Sequence, residues 1–383
     1  MRFLLVCLLA VLAFATAARV RDYTGYTYNQ FLAEFRSDSN AAPCPARKAV
    51  FEANLAKIQA HNAQGRSWYM AVNEHADMTE EEFLAFYTGL DNSARHQARV
   101  ANGLAAPRRL RNDFAPIFFE RRSMPNVADD DVPESANWDH TISKVLNQGQ
   151  CGSCWAFATA HTLIGRAFIE SDKHITVSTQ QITSCTPNTR HCGGTGGCKG
   201  ATFQLAADYL QQTPFLTTEE AYPYRSGSTG STGQCKFDDG SMPPSMSIGG
   251  YVDLPANNKT ELLKEVARGG PVAVSVAASA WFLYGGGVFD GCSSQGDGEV
   301  NHAVTAVGYD LKAGYLRILN SWGSTWGEKG YIRLKLHDRE PVIMDKNPAS
   351  GSACEDEPMT PYEVVGECGV FSDSSYPTEV KVY

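Results

Sequence analysis

Gln148-Gly149-Gln150-Cys151-Gly152-Ser153-Cys154-Trp155-Ala156-Phe157 is the stretch on which the reading of this chain turns. Two cysteines stand close together, and only the second opens a run in which Phe157, Ala160, Ile164, Ala167 and Phe168 recur at helical spacing. The spacing predicts an amphipathic helix from Cys154 to Glu170, with Cys154 in its first turn. Unpaired backbone N–H groups and the helix dipole favour negative charge there. A thiol in that place gives up its proton more easily, and the thiolate is the nucleophile. Cys151 is the better candidate for a structural disulfide.

A thiolate nucleophile that attacks a carbonyl also needs a base, a group that orients the base, and donors for the oxyanion formed on attack. His302 lies in the strand-like Asn301-His302-Ala303-Val304. Asn320 follows in Asn320-Ser321-Trp322-Gly323-Ser324-Thr325-Trp326-Gly327-Glu328-Lys329-Gly330-Tyr331. The C-G-S-C-W string, with His and Asn later in that order, matches the signature of papain-like cysteine proteases. At these residues the chain resembles the papain/cathepsin L family. The resemblance implies an α+β, two-lobe fold, a helical lobe beside a β-barrel-like lobe with the active cleft between, preceded by a helical propeptide. It implies a cysteine endopeptidase made as a secreted zymogen, working through a Cys154 thiolate, a His302 imidazolium and a covalent acyl-enzyme. Asn320 takes the orienting role, Gln148 and the Cys154 N–H the oxyanion, and Trp322 the shielding of His302. By the same resemblance Thr202, Phe203, Ser275, Ala303 and Asp373 line the subsite for the second residue before the cut. A carboxylate there would accept Arg or Lys. The rival reading, a surface carboxylate in water, stays open, as does an inactive homologue that only binds or stores. Against the latter, Cys154, His302, Asn320 and Gln148 are all retained.

There are 11 cysteines, of which Cys7 falls in the leader and Cys44 in the pro-segment. The odd number left leaves one thiol over in an oxidising compartment, and Cys154 explains it. The resemblance pairs Cys151 with the cysteine of a C-x-G-G string, for which Cys192 and Cys198 compete. Helix register behind Cys198 favours Cys198. Cys185 is then expected to pair with Cys235 and Cys292 with Cys368. Cys192 and Cys354 are left, either as a fourth bridge or as free thiols. Cys354 sits in an acidic, Pro-rich insertion from about Asp338 to Glu363. No insertion resembles the occluding loop of exopeptidase relatives. The cysteine spacing is not that of zinc ligands and H-E-x-x-H is absent, so no metal or cofactor is expected.

Residues 1–17 read as a signal peptide: Arg2, an apolar run from Phe3 to Phe14 and Ala15-Thr16-Ala17. That run is too short to span a bilayer, so the expected location is the secretory route, ending in a lysosome, an acidic vacuole or outside the cell. Residues 18–131 read as inhibitory propeptide and 132–383 as peptidase domain. Arg47, Val50, Phe51, Asn54, Ile58 and Asn62 share one helix face, similar to the ERFNIN pattern of cathepsin L-like propeptides, though Pro43 stands where Glu belongs. Ala71 to Asp77 resembles G-x-N-x-F-x-D through Asn73 and Asp77. His75 within it is either a pH sensor or a tolerated buried ring. From Arg95 to Arg122 seven arginines face only Asp113 and Glu120, ahead of an acidic peptidase part. The net charge of −9 argues against a nucleic-acid partner. Expected partners are peptide substrates, the chain's own propeptide and cystatin-like inhibitors, with the protein a monomer. Ion pairs between propeptide and enzyme are expected to make activation acid-dependent. Ser226 to Gly233 reads as an exposed loop without chemistry.

Overall fold

A computed structural model of the protein describes residues 20–36, 44–88, 132–296, 298–357 and 360–383. The leader, Pro43 and the Arg-rich linker up to Asp131 lie outside the described residues. In the propeptide, α1 is Tyr28–Phe35, α2 Pro45–Asn62 and α3 Glu80–Tyr87. Pro45 takes the first position of α2, where its missing N–H is not needed. Thr27 and Thr79 close capping boxes on α1 and α3. The polar residues of the α2 face tie down the turn that follows. Asn54 donates to the carbonyls of Ala76 and Met78, Asn62 exchanges two bonds with Met70, and Arg47 pairs with Glu82. Phe51 and Ile58 are fully buried, Phe51 against Tyr28 and Phe31.

In the peptidase part, α4 is Cys154–Ser171, α5 Thr179–Cys185, α6 Phe203–Gln212 and α7 Lys259–Gly269. Every residue of α4 from Cys154 to Ala167 is buried. The expected amphipathic helix is thus a central one. Its apolar stripe packs on α6 and the helical-lobe core, while another face meets the sheet. Thr202 caps α6, its hydroxyl oxygen accepting from Leu205 N–H.

The strands of the main sheet and of the insertion are β1 Trp68–Met70, β2 Ser135–Asn137, β3 Gly250–Asp253, β4 Val272–Val276, β5 Tyr284–Phe289, β6 His302–Asp310, β7 Tyr315–Leu319, β8 Tyr331–Lys335, β9 Val342–Asp345, β10 Tyr362–Val365 and β11 Ser374–Thr378; Leu216–Thr217, Pro244–Ser247 and Lys381–Val382 form a small sheet of their own. One sheet runs β1–β5–β8–β7–β6–β4–β11–β3, with β2 beside β6. Only β5 and β8 pair in parallel. In β8 the alternation holds from Ile332 onward: Ile332 and Leu334 are buried, Arg333 and Lys335 half-buried. The edge strand β1 belongs to the propeptide, so the inhibitor completes the enzyme's own sheet, Trp68 opposite Gly287. Gly287 is required there, since it has φ +96° and a Cβ would stand 2.6 Å from Trp68 Cα. β9 and β10 pair as a separate two-stranded sheet, β9 inside the 338–363 insertion and β10 at its end and two residues beyond. Among the described residues no helix is long and apolar enough to cross a membrane.

Ser226–Gly233 is exposed from Ser228 to Ser231 and at Gly233, as expected, but its first two residues are not. Ser226 is buried against Gln180, and the Gly227 carbonyl accepts from Gln150 N–H. The start of the loop therefore buttresses the segment that carries Gln148, and a Cβ on Gly227 would stand 2.6 Å from the Gln148 carbonyl oxygen. The ion pairs Arg21–Glu34, Arg36–Asp77, Arg47–Glu82 and Lys57–Glu80 all lie within the propeptide, so none of these four crosses to the enzyme as anticipated. The two meet through the β1–β5 pairing, through the Asn73 amide donated to the Phe282 carbonyl, and through Phe83, which packs on Phe282 and edge-on to Trp322.

Candidate active site

Four chain segments meet at one cleft. Cys154 is the first residue of α4, His302 the first of β6, Asn320 follows β7, and Gln148 lies on the segment bridged to Trp322 through Asn147. Cys154 and His302 line the same pocket. Asn320 Oδ1 accepts from the Ser321 N–H at 2.8 Å and meets His302 Nε2 at 2.8 Å. The first bond fixes which end of the amide faces the ring. His302 Nε2 therefore carries hydrogen, and Nδ1 is the nitrogen left to exchange a proton. Nδ1 is buried with no hydrogen-bond partner among the described residues. Trp322 stacks on the ring at 4.8 Å between centroids and is itself fully buried. Burial holds His302 down at about 4, and its bond to Asn320 offsets only part of that.

Gln148 is oriented from both ends. Its Oε1 accepts from Ser321 Oγ at 2.6 Å, which turns Nε2 towards the Cys151 carbonyl at 3.0 Å and the propeptide's Tyr87 carbonyl at 3.2 Å. Tyr87 O also accepts from Trp322 Nε1 at 3.2 Å. The propeptide thus places a carbonyl oxygen on the same side-chain donor that holds the Cys151 carbonyl. Ser321 was not singled out in the sequence, although it sits inside the quoted N-S-W-G run. Tyr224, which joins Ser153 Oγ to the Gln148 carbonyl, carried no local signal.

Thr202, Phe203, Ser275, Ala303 and Asp373 line the pocket next to Cys154 and His302. The Asp373 carboxylate accepts from Ser275 Oγ at 2.6 Å and from Gln204 Nε2 at 3.0 Å. Burial pushes its pKa up against those two bonds. It is half-buried, not a carboxylate standing free in water. The chain bonds Cys151 to Cys198, Cys185 to Cys235, Cys192 to Cys354 and Cys292 to Cys368. Among the described cysteines, exposed Cys44 and buried Cys154 are left as thiols. The Cys292, Glu367 and Cys368 cluster is no metal site, since both sulfurs are in a disulfide.

Residues 132–351 match the family model of papain family cysteine proteases, and residues 28–83 that of the cathepsin propeptide inhibitor domain. The chain belongs to the papain family of cysteine proteases. It is 32% identical over 344 residues to cysteine protease XCP2 of Arabidopsis thaliana, covering 88% of this chain and 80% of that one. To cathepsin L of Sarcophaga peregrina it is 29% identical, over 99% and 100% of the two chains. A solved structure of digestive procathepsin L 3 from Tenebrio molitor larval midgut matches with a TM-score of 0.64 and 28% identity, covering 91% of this chain and 97% of that one. The protein is a papain-like cysteine peptidase made as a zymogen, with its inhibitory propeptide as its own intramolecular partner.

Proposed function

We propose that Cys154, His302, Asn320 and Gln148 carry peptide-bond hydrolysis in this chain. Cys154 as thiolate attacks the carbonyl carbon of the scissile bond. The oxyanion is received by Gln148 Nε2 and the Cys154 backbone N–H at the start of α4, and His302 gives its Nδ1 proton to the leaving amine. Water then enters with His302 as base and releases the acyl group. The observation that carries this reading is the His302–Asn320–Ser321 chain of bonds, which leaves only Nδ1 free on the side of the pocket that Cys154 lines. The substrate pocket is formed by Thr202, Phe203, Ser275 and Ala303 with Asp373 at its end, and it takes a basic residue at the second position before the cut. Residues 1–17 act as signal peptide and 18–131 as propeptide. Four disulfides suit the oxidising secretory route, with a lysosome, an acidic vacuole or the outside of the cell as destination. The site is assembled from one chain, so the enzyme works as a monomer. Its opened cleft is also the surface for cystatin-like inhibitors. The test is labelling of matured protein with an epoxide thiol inhibitor at pH 5, followed by peptide mapping. The label is expected on Cys154, with no hydrolysis in Cys154→Ser; label on another cysteine, or activity in C154S, overturns the assignment.

A further inference from the structure

The insertion between β8 and β11 does not stay on the lobe that carries it. Its hairpin, β9 with β10, packs Ile343, Val364 and Tyr362 on Val300, two residues before His302. Asp345 accepts from the Val300 N–H, and Asn347 donates to Glu299. The tip then crosses to the helical lobe. Cys354 is bonded to Cys192, Ala353 O accepts from Gly193 N–H, and Glu355 N–H donates to the Arg190 carbonyl. Arg190 pairs with Asp356 and Glu357, and His191 with Glu355. The backbones are in contact: a side chain on Gly193 would collide with the Gly351 carbonyl, and one on Gly351 would stand 2.7 Å from Val300 O.

Gly193 and Gly351 both line the pocket that holds Cys154, His302 and Asp373. The propeptide's Tyr87 carbonyl, by contrast, is held by Gln148 and Trp322, residues outside that lining. The two lobes are therefore joined by a covalent bridge at the pocket's end of the cleft. A substrate lying in the cleft meets this bridge after the residue that fills the pocket.

We propose that the Cys192–Cys354 tip is a lobe-to-lobe clasp that ends the cleft on the amino-terminal side of the cut, so that substrate residues beyond the second or third before the scissile bond find no further subsite. This rests on the pocket assignment made above. It makes the insertion a determinant of how much of a peptide the enzyme reads, a role that the lack of any occluding-loop resemblance in the sequence does not suggest. The closure is held by one disulfide, two backbone hydrogen bonds and an exposed ion-pair cluster, of which the disulfide is the part that resists opening.

The experiment measures kcat/KM per active site on peptides with one to five residues before a common leaving group, the active sites being counted by epoxide labelling. Matured wild type is compared with C192S/C354S and with C192S/C354S/R190A, neither of which touches a residue of the catalytic group. Wild type is expected to rise to the second or third residue and then stay level or fall. The opened variants are expected to gain about tenfold from the further residues, equivalent to about 1.4 kcal/mol of added transition-state binding. The same length profile in wild type and both variants, whether rising or level, overturns the clasp. Absent labelling or absent cleavage of every peptide counts instead against the peptidase assignment, so the two failures are distinct.

Discussion

The carbonyl oxygen of Tyr87 accepts a hydrogen bond from Gln148 Nε2 at 3.2 Å, so the zymogen already fills the donor proposed for the oxyanion. In Gln148→Ala the matured enzyme should lose about 10²–10³ in kcat with little change in KM, because that donor acts on the transition state more than on bound substrate. Inhibition by the added propeptide should weaken only about fivefold, the worth of one neutral hydrogen bond, since Trp322 still holds Tyr87 O. Steady-state kinetics on active-site-titrated protein gives both numbers. An unchanged kcat would remove Gln148 from the oxyanion site.

Acid activation follows from one buried histidine of the propeptide. His75 is buried against Phe83 and Tyr87, and burial, helped by the Arg36 charge, drives it down to about 3. It is neutral in the closed zymogen and recovers the ordinary histidine value near 6.5 once the propeptide lifts. The closed form thus binds fewer protons than the open one. Its stability is intact above about pH 6.5 and is lost as pH falls towards 3, on the order of 2–3 kcal/mol by pH 4.5. Glu34 and Glu82, lowered by their Arg21 and Arg47 partners, act in the same direction at lower pH, but they are exposed and contribute little. His75→Phe should therefore process markedly more slowly than wild type at pH 4.5 and at a similar rate at pH 7.5. Equal rates at pH 4.5 would clear His75 of this role.

The lobe architecture and the meeting of Cys154 with His302 and Asn320 were legible because they rest on local strings. C-G-S-C-W fixes a helix start, N-S-W-G fixes Asn320, and the alternation of Ile332 and Leu334 with Arg333 and Lys335 fixes a strand. What escaped reading depends on contacts between distant segments. Nothing near Ser226 says that its loop packs under Gln148, and nothing near Gln204 says that its amide reaches Asp373 across 169 positions. The amphipathic reading of α4 was incomplete because a helix covered on several faces by different elements shows only its longest apolar stripe. The clasp was half legible: two surplus cysteines were visible, but the place where their bridge crosses the cleft was not.

Asp373 sets a pH-dependent preference. Its carboxylate is held at the pocket's end by Ser275 and Gln204, and its pKa is raised by burial. A raised carboxylate loses its charge earlier as pH falls, so discrimination for Arg over Leu at the second position should be larger at neutral pH than in acid. One charged hydrogen-bonded contact corresponds to about tenfold to a hundredfold in that ratio. Asp373→Asn should lower the ratio of kcat/KM values at pH 7 and flatten its pH dependence. If the ratio is the same in both proteins, the carboxylate does not face the substrate side chain.

Asp345 makes the clasp firmer in acid. It is fully buried under the hairpin, and burial near Glu299 drives it up to about 6, although Asn347, Val300 and Tyr362 donate to it. The folded hairpin therefore holds this proton more tightly than an open one, whose carboxyl titrates near 3.9. The hairpin's stability is full below about pH 3.9 and is lost as pH rises through 6, on the order of 2–3 kcal/mol. Propeptide and clasp thus respond to pH in opposite senses: acid loosens the inhibitor and tightens the insertion. Hydrogen exchange of the Val300 amide and the 342–365 segment, corrected for intrinsic rate, should show stronger protection at pH 4.5 than at pH 7.5. Asp345→Asn, which cannot ionise, should remove most of that difference, and a difference that survives in D345N would assign it to another group.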